Sequence, residues 1–104
     1  MPHKFLVHAP GDAVGVAVED LKPGDTVTGV VLRDNSVLQV ALRDPIPLGH
    51  KLALRAIVRG ERVIEYGEVI GEALADIVPG QHVHVHNIVS VRWPRSTAAT
   101  TRVG

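Results

Sequence analysis

The seven residues Ile77-Val78-Pro79-Gly80-Gln81-His82-Val83 show a pattern that occurs four times in this chain. An apolar residue is followed by two residues, a glycine, two polar residues and a second apolar residue. Because glycine takes a positive φ at low cost, each copy predicts a β-turn after which a strand enters a sheet. The intervals between copies are irregular, which excludes a solenoid and indicates one kind of turn used four times. The other copies are residues 21–27, 46–52 and 57–63.

Short apolar segments lie between these turns and predict β-strands. Residues 27–32 and 37–42 flank Arg33-Asp34-Asn35-Ser36, a turn-rich sequence that predicts a hairpin. Gly15 marks a bulge, or a place where another backbone or a ligand comes close. No segment has a sustained 3.6-residue apolar period, so we expect a mostly β domain of short, bent strands with little helix. The remaining predicted strands are residues 5–7, 14–18, 62–66 and 69–70, with breaks at Gly67 and Gly71, and residues 51–57 predict a strand or a short helical turn.

Composition limits the classes of protein to which the chain can belong. Its 104 residues, 45% of them hydrophobic, are enough for one domain with a hydrophobic core. Eleven basic and eleven acidic residues cancel, and only three residues are Phe, Tyr or Trp, which argues against a nucleic-acid partner. There is no cysteine, no signal peptide and no apolar run near the ~20 residues of a membrane span. We therefore expect a cytoplasmic protein with no membrane partner.

The character of the sequence changes near its C-terminus. We place the folded domain at residues 1–91 and predict a flexible tail at 92–104, which is polar and rich in small residues. Trp93 is the exception within the tail. Its indole either folds back over the core or anchors a partner chain, because Trp and Arg are favoured at interfaces.

His82, His84 and His86 are three of the chain's six histidines and occupy alternate positions. On a strand these side chains would share one face, at roughly 7 Å spacing, while Val83 and Val85 would supply the apolar face. Two such imidazoles can bind one metal ion of the zinc, iron, manganese or nickel type, or one anion. No carboxylate or thiolate lies in this stretch, so a site would have to be completed from elsewhere. The alternative is a solvated edge face.

Three motifs carry a family resemblance: residues 46–54, 63–71 and 77–87. In this order they resemble the SAF domain of the altronate and galactarate dehydratases and of sulfolactate sulfo-lyase. The resemblance implies a β-clip fold and a small subunit that works with a much larger catalytic subunit. Residues 11–18 and 91–93 look more like the sulfo-lyase small subunits than like the dehydratases. A lone subunit can also form a homo-oligomer through the surface meant for its partner.

What the resemblance implies is lyase chemistry on an acyclic 2-hydroxy acid. A proton beside the carboxylate is removed, water or sulfite departs from the β-carbon, and a 2-keto acid forms. This chemistry needs an acid, a base and a cation for the developing charge. The resemblance implies iron(II) or manganese(II), shared with or held by the large subunit. Two alternatives are a non-catalytic SAF module that recognises an acidic sugar or a partner protein, and a histidine-face metal carrier.

The motifs also indicate candidate site residues. His50 and Lys51 match the family's Gly-His-Lys, which implies that they bind substrate oxygens or protonate the leaving group, and we treat both as catalytic candidates. His84, His86 and Asn87 match the family's His-X-His-Asn. We therefore predict His84 and His86 as metal ligands, His86 as a catalytic residue as well, and Asn87 as substrate-binding.

Two further substrate-binding candidates, Tyr66 and Asp12, are not part of the two histidine motifs. Tyr66 matches the family's Tyr-Gly, with core packing as the alternative. Asp12 matches the first residue of the family's Asp-Asn pair, but Ala13 replaces the Asn and removes a side-chain amide. Glu65 stands where many relatives have Lys, and His82 stands where relatives often carry an aromatic residue.

Overall fold

The computed structural model describes residues 3–90, which contain nine β-strands and no helix. The predicted tail and Trp93 therefore lie outside the described residues. No helix in the described part of the chain is long and apolar enough to span a membrane. The strands are β1 (Phe5–Val7), β2 (Val14–Ala17), β3 (Thr26–Val31), β4 (Val37–Ala41), β5 (Lys51–Ala53), β6 (Arg62–Glu65), β7 (Glu68–Ala73), β8 (His82–Val83) and β9 (Ile88–Val89).

The strands form two sheets. Six strands lie in the order β4-β3-β1-β2-β5-β8, and the other three in the order β6-β7-β9. Only β1 and β3 pair in parallel among these neighbours; the other pairs are antiparallel. The predicted mostly β fold of short strands is confirmed, and so is the hairpin, which β3 and β4 form.

All four glycine turns bind a strand in the same way. Gly24, Gly49, Gly60 and Gly80 have φ between 82° and 92°, as the repeated pattern predicts. The N–H of each glycine donates to the carbonyl of one residue in or beside a strand. The N–H of that same residue donates to the carbonyl of the residue that follows the glycine. Two short hydrogen bonds therefore fix each turn to its strand. The strand residues are Leu42, Ala17, Ala73 and Ala53, in the order of the glycines.

The turns also associate in two pairs. Leu21 and Ile46, the apolar residues that open two of the turns, exchange backbone hydrogen bonds of 2.8 and 3.0 Å. Ile57 and Ile77 do the same at 2.8 and 2.7 Å. All four side chains are buried, so each pair adds to the core. An aspartate caps the partner turn in each pair: Asp20 accepts from the Leu48 N–H, and Asp76 accepts from the Arg59 N–H.

Phe5 organises one of the two hydrophobic clusters. Its side chain is fully buried, and a Cβ at Gly29 would overlap its ring. A Cβ at Gly15 would lie 2.8 Å from the Phe5 ring and 3.2 Å from the Leu6 carbonyl oxygen. Gly15 pairs with Leu52 without a register shift, so Gly15 does not form a bulge. The alternative prediction, that another part of the chain packs closely against Gly15, is correct. The second cluster lies between the two sheets and consists of buried residues from strands of both sheets and from their turns: Ala13, Val14, Ala53, Ile57, Val63, Ala73, Ile77 and Val83.

Two local predictions are wrong. The histidine stretch is a strand only at His82–Val83, and residues 84–87 form a turn. Val85 is consequently 78% exposed and does not belong to an apolar face. Gly71 does not break a strand but lies buried inside β7, where β9 packs so closely that a Cβ would lie 2.7 Å from the Val89 carbonyl oxygen. Residues 51–57 contain a strand, β5, and no helical turn.

We expect Gly80→Ala to destabilise the protein more than Gly60→Ala. Both positions have a positive φ, which costs an alanine about 1–2 kcal/mol. A Cβ at Gly60 meets nothing within 4 Å, whereas a Cβ at Gly80 overlaps the Ala41 carbonyl, and overpacking costs about 1–3 kcal/mol more. Urea denaturation of both variants measures the difference. Equal losses in the free energy of unfolding would show that the contact with Ala41 does not constrain the turn.

Candidate functional site

The register between β5 and β8 gathers histidines that are distant in sequence. Lys51 lies opposite Val83, and Leu52 lies opposite His82. Opposite residues of antiparallel strands share a face, as do residues two positions apart. His50, which enters β5 from the Gly49 turn, is therefore on the same face as His82. Lys51 and Val83 belong to the other face.

Four imidazole rings pack together at this face. His50 Nδ1 and His82 Nε2 are 2.9 Å apart and share a hydrogen bond. The ring of His84 stacks on that of His50 at a centroid distance of 4.5 Å and on that of His82 at 5.4 Å. The ring of His86 lies 5.2 Å from that of His82, tilted by 33°. His50 and His82 are half-buried, whereas His84 and His86 are exposed. We call His50, His82, His84 and His86 the histidine cluster.

Three members of the cluster present nitrogen atoms that can reach one metal ion. One ring nitrogen each of His50, His82 and His84 lie within 4.8 Å of one another. His84 is one of the two predicted ligands, but the turn at residues 84–87 directs the other, His86, toward the His82 ring alone. A metal-binding role for His86 stays a prediction. His82, whose claim from sequence is weaker, lies at the centre of the cluster because it contacts all three other rings.

Two side chains hold the backbone beneath the cluster. Asp44 Oδ2 accepts the N–H of His82 at 2.9 Å. Asn87 Oδ1 accepts the N–H of His84 at 2.9 Å, and Asn87 Nδ2 donates to the His82 carbonyl at 2.7 Å. Asn87 is buried, and both ends of its amide are engaged by backbone. Asn87 therefore positions His82 and His84, and its predicted contact with substrate stays a prediction.

Burial lowers the pKa of His82 below its usual value of about 6.5. The positive charges that His50, His86 and His84 would carry lower it further, and the carboxylate of Asp44 opposes the effect. A neutral imidazole has a free nitrogen lone pair, so at neutral pH His82 is available as a metal ligand or proton acceptor.

Lys51 lies in a second group on the other face. Its Nζ is 3.9 Å from Glu65 Oε1, and His8 Nε2 is 3.6 Å from Glu65 Oε2. The His8 ring also contacts Tyr66, at a centroid distance of 5.3 Å. Tyr66 is exposed and has a φ of 55°, rare for a residue with a side chain, and the Arg33 guanidinium carbon lies 5.9 Å from its ring centroid. The candidates His50 and Lys51, adjacent in sequence, are thus in different surroundings.

Asp12 has a structural contact of its own. It is buried, and its Oδ2 accepts the N–H of Ala9 at 3.2 Å while its own N–H donates to the Ala9 carbonyl. The side chain thus closes the loop between β1 and β2. The predicted substrate-binding roles of Asp12 and Tyr66 stay predictions. The pairing of His8 with Glu65 has no sequence signal, because it depends on the packing of β6 near the end of β1.

We expect His82 to titrate below pH 6.5 in the folded protein. The unfolded chain then binds a proton more readily than the folded one, so stability falls as the pH decreases below 6.5. An NMR titration of the imidazole resonances measures the pKa, and His50→Ala should raise it partly toward 6.5 by removing a neighbouring positive charge. A pKa of His82 at or above 6.5 would contradict a half-buried imidazole that is neutral at pH 7.

Comparison with known proteins agrees with the motifs. The family model described as "Altronate/galactarate dehydratase SAF domain" matches residues 3–91. The (2R)-sulfolactate sulfo-lyase subunit alpha of Chromohalobacter salexigens is 46% identical over 90 residues, 86% of this chain and 96% of that protein. The altronate dehydratase of Escherichia coli is 49% identical over 76 residues, 73% of this chain and 14% of that protein. The predicted family is confirmed, and the chain belongs to the SAF-domain family of the altronate and galactarate dehydratases.

Proposed function

We propose that this chain is the small subunit of a metal-dependent lyase that performs β-elimination on an acyclic 2-hydroxy acid. The predicted lyase role is supported by the names of its relatives, which are sulfo-lyase subunits and dehydratases. The observation that carries the proposal is the coverage. The chain aligns with 96% of a subunit named alpha, but with only 14% of an altronate dehydratase. This coverage supports the role of a small subunit, for which a large subunit supplies the rest of the active site.

The same coverage favours a sulfonated substrate. Two relatives that match over nearly their whole length are named (2R)-sulfolactate sulfo-lyase subunit alpha, at 46% and 45% identity. We propose sulfite elimination from a 3-sulfo-2-hydroxy acid as the first reaction to test. Dehydration of a sugar acid such as altronate or galactarate is the second, because the dehydratases reach 49% and 34% identity.

The elimination breaks a C–H bond and a C–S bond, and the enol then moves a proton from oxygen to carbon. A base takes the proton from the carbon beside the carboxylate, the C–S bond breaks with its electron pair on sulfite, and the enol formed becomes a 2-keto acid. A divalent metal, proposed to be iron(II) or manganese(II), supplies positive charge that stabilises the carboxylate as negative charge develops there. Imidazole donors suit iron(II) among these ions, and His84 with His50 and His82 would hold the ion from this chain.

Within this scheme the cluster leaves one imidazole for proton transfer. His50, whose predicted catalytic role would then be to hold the ion, is half-buried and bonded to His82, whereas His86 is exposed at the edge of the cluster. An imidazole in such a position can exchange a proton with a substrate near neutral pH. Lys51 is paired with Glu65 on the other face, so its predicted catalytic role requires that the large subunit also contacts that face.

We expect product only when this chain is combined with a large subunit of the same family, in the presence of iron(II) or manganese(II). Sulfite release and keto-acid formation from sulfolactate, altronate and galactarate measure the activity. Since losing a group that only orients a metal ligand already costs about 10–100-fold, His50→Ala, which removes a ligand, should lower the rate by at least about tenfold. His84→Ala should cause a comparable loss. His3→Ala, an exposed histidine outside the cluster, should leave it unchanged.

Co-purification of each variant with the large subunit separates chemistry from assembly. Full activity of the large subunit alone would contradict the lyase role and leave the alternative, a non-catalytic module that binds a partner or an acidic sugar. Full activity of both His50→Ala and His84→Ala in the assembled complex would remove the cluster from the active site.

A further inference from the structure

We propose that this chain, without a large subunit, binds one transition-metal ion through His50, His82 and His84, and that it prefers iron(II) to manganese(II). The inference rests on the proposed function for what the ion does there, but not for whether it binds. It differs from the ligand pair expected from sequence, because His50 and His82 take part and His86 does not.

The first argument is the arrangement of the nitrogen atoms. Imidazole nitrogens bind such ions at about 2.0–2.1 Å, so two ligands of one ion lie at most about 4.2 Å apart. The three nitrogens already lie within 4.8 Å of one another. Ring rotations that move each nitrogen by about 1 Å therefore bring all three within reach of one ion. His84 is exposed and free to make this adjustment, while the ion would replace the hydrogen bond between His50 and His82.

The second argument is that the backbone holding the three rings is already fixed. Ala17 bonds both sides of the turn from which His50 emerges. Asp44 holds the N–H of His82, and Asn87 bridges His82 and His84. Groups one step removed from a metal typically change its affinity by 10–100-fold, because they hold the ligands in place. The site therefore needs little ordering when the ion binds.

The third argument concerns the kind of ion. Among residues 3–90, the donors that group here are all imidazoles, and Asp44 is already bonded to backbone. Imidazole suits iron, nickel, copper and zinc, whereas carboxylate, carbonyl and water oxygens suit manganese, and affinity rises from manganese through iron to cobalt and nickel. Three protein ligands also leave open positions, as in catalytic sites, where substrate oxygens can bind.

Calorimetric titration of the full chain, without a histidine tag, tests the inference. Iron(II) under anaerobic conditions, cobalt(II) and manganese(II) are the probes, and the visible absorbance of cobalt(II) reports its ligands. We expect one equivalent of iron(II) and of cobalt(II) to bind, with manganese(II) at least about tenfold weaker.

His50→Ala, His82→Ala and His84→Ala should each weaken binding by at least about tenfold. His8→Ala and His86→Ala are the matched controls and should bind as the intact chain does. Circular dichroism of each variant confirms that it is folded, and Asn87→Asp, which keeps the acceptor oxygen but loses the donor, should give an intermediate loss if it stays folded.

Several results would overturn the inference. These are no binding to the intact chain, equal affinity for manganese(II) and iron(II), or a loss in His86→Ala as large as that in His84→Ala while His50→Ala binds normally. Lyase activity of the assembled complex together with an ion-free lone chain would overturn this inference and leave the proposed function standing. One bound ion per chain with no activity in any complex would do the reverse.

Discussion

The rest of the structure depends on a pair of backbone hydrogen bonds that is used four times. In each copy the turn glycine and the residue after it form hydrogen bonds with the N–H and the carbonyl of one residue in or beside a strand. A chain of short strands has few ladder hydrogen bonds within each strand pair, so its strands need support from outside the ladder. The turns supply that support, and the paired turns bury their apolar residues in the same clusters that the strands cover.

The sequence predicted the local parts of this fold and not their partners. The turn glycines were predictable because a positive φ restricts the residue type, and the hairpin was predictable because β3 and β4 are adjacent in the chain. The parallel pairing of β1 with β3 and the pairing of β5 with β8 join segments about 20–30 residues apart, and nothing in either segment specifies the other. Gly71 shows the same limit, because a glycine is needed there for the close approach of β9 and not for a turn.

The candidate site follows the same rule. Alternation at His82, His84 and His86 was visible, but a strand-only interpretation could not include the turn that Asn87 closes. His50 was found through a motif, and its contact with His82 follows from a strand register that the motif does not contain. The position of Lys51, in contrast, could be predicted. Successive side chains of a strand point to opposite faces, so Lys51 and His50 lie on different faces.

The residue after each turn glycine contributes its backbone to the fold, and its side chain is free for other work. At two of the four positions, Glu61 and Gln81, the side chain caps its own turn. At the equivalent position His50 turns its ring toward His82 instead, with the same backbone bonds to the strand. Within this one chain the position thus carries different side-chain chemistry on the same main-chain bonds, and it is where a protein engineer could install a new function in this scaffold.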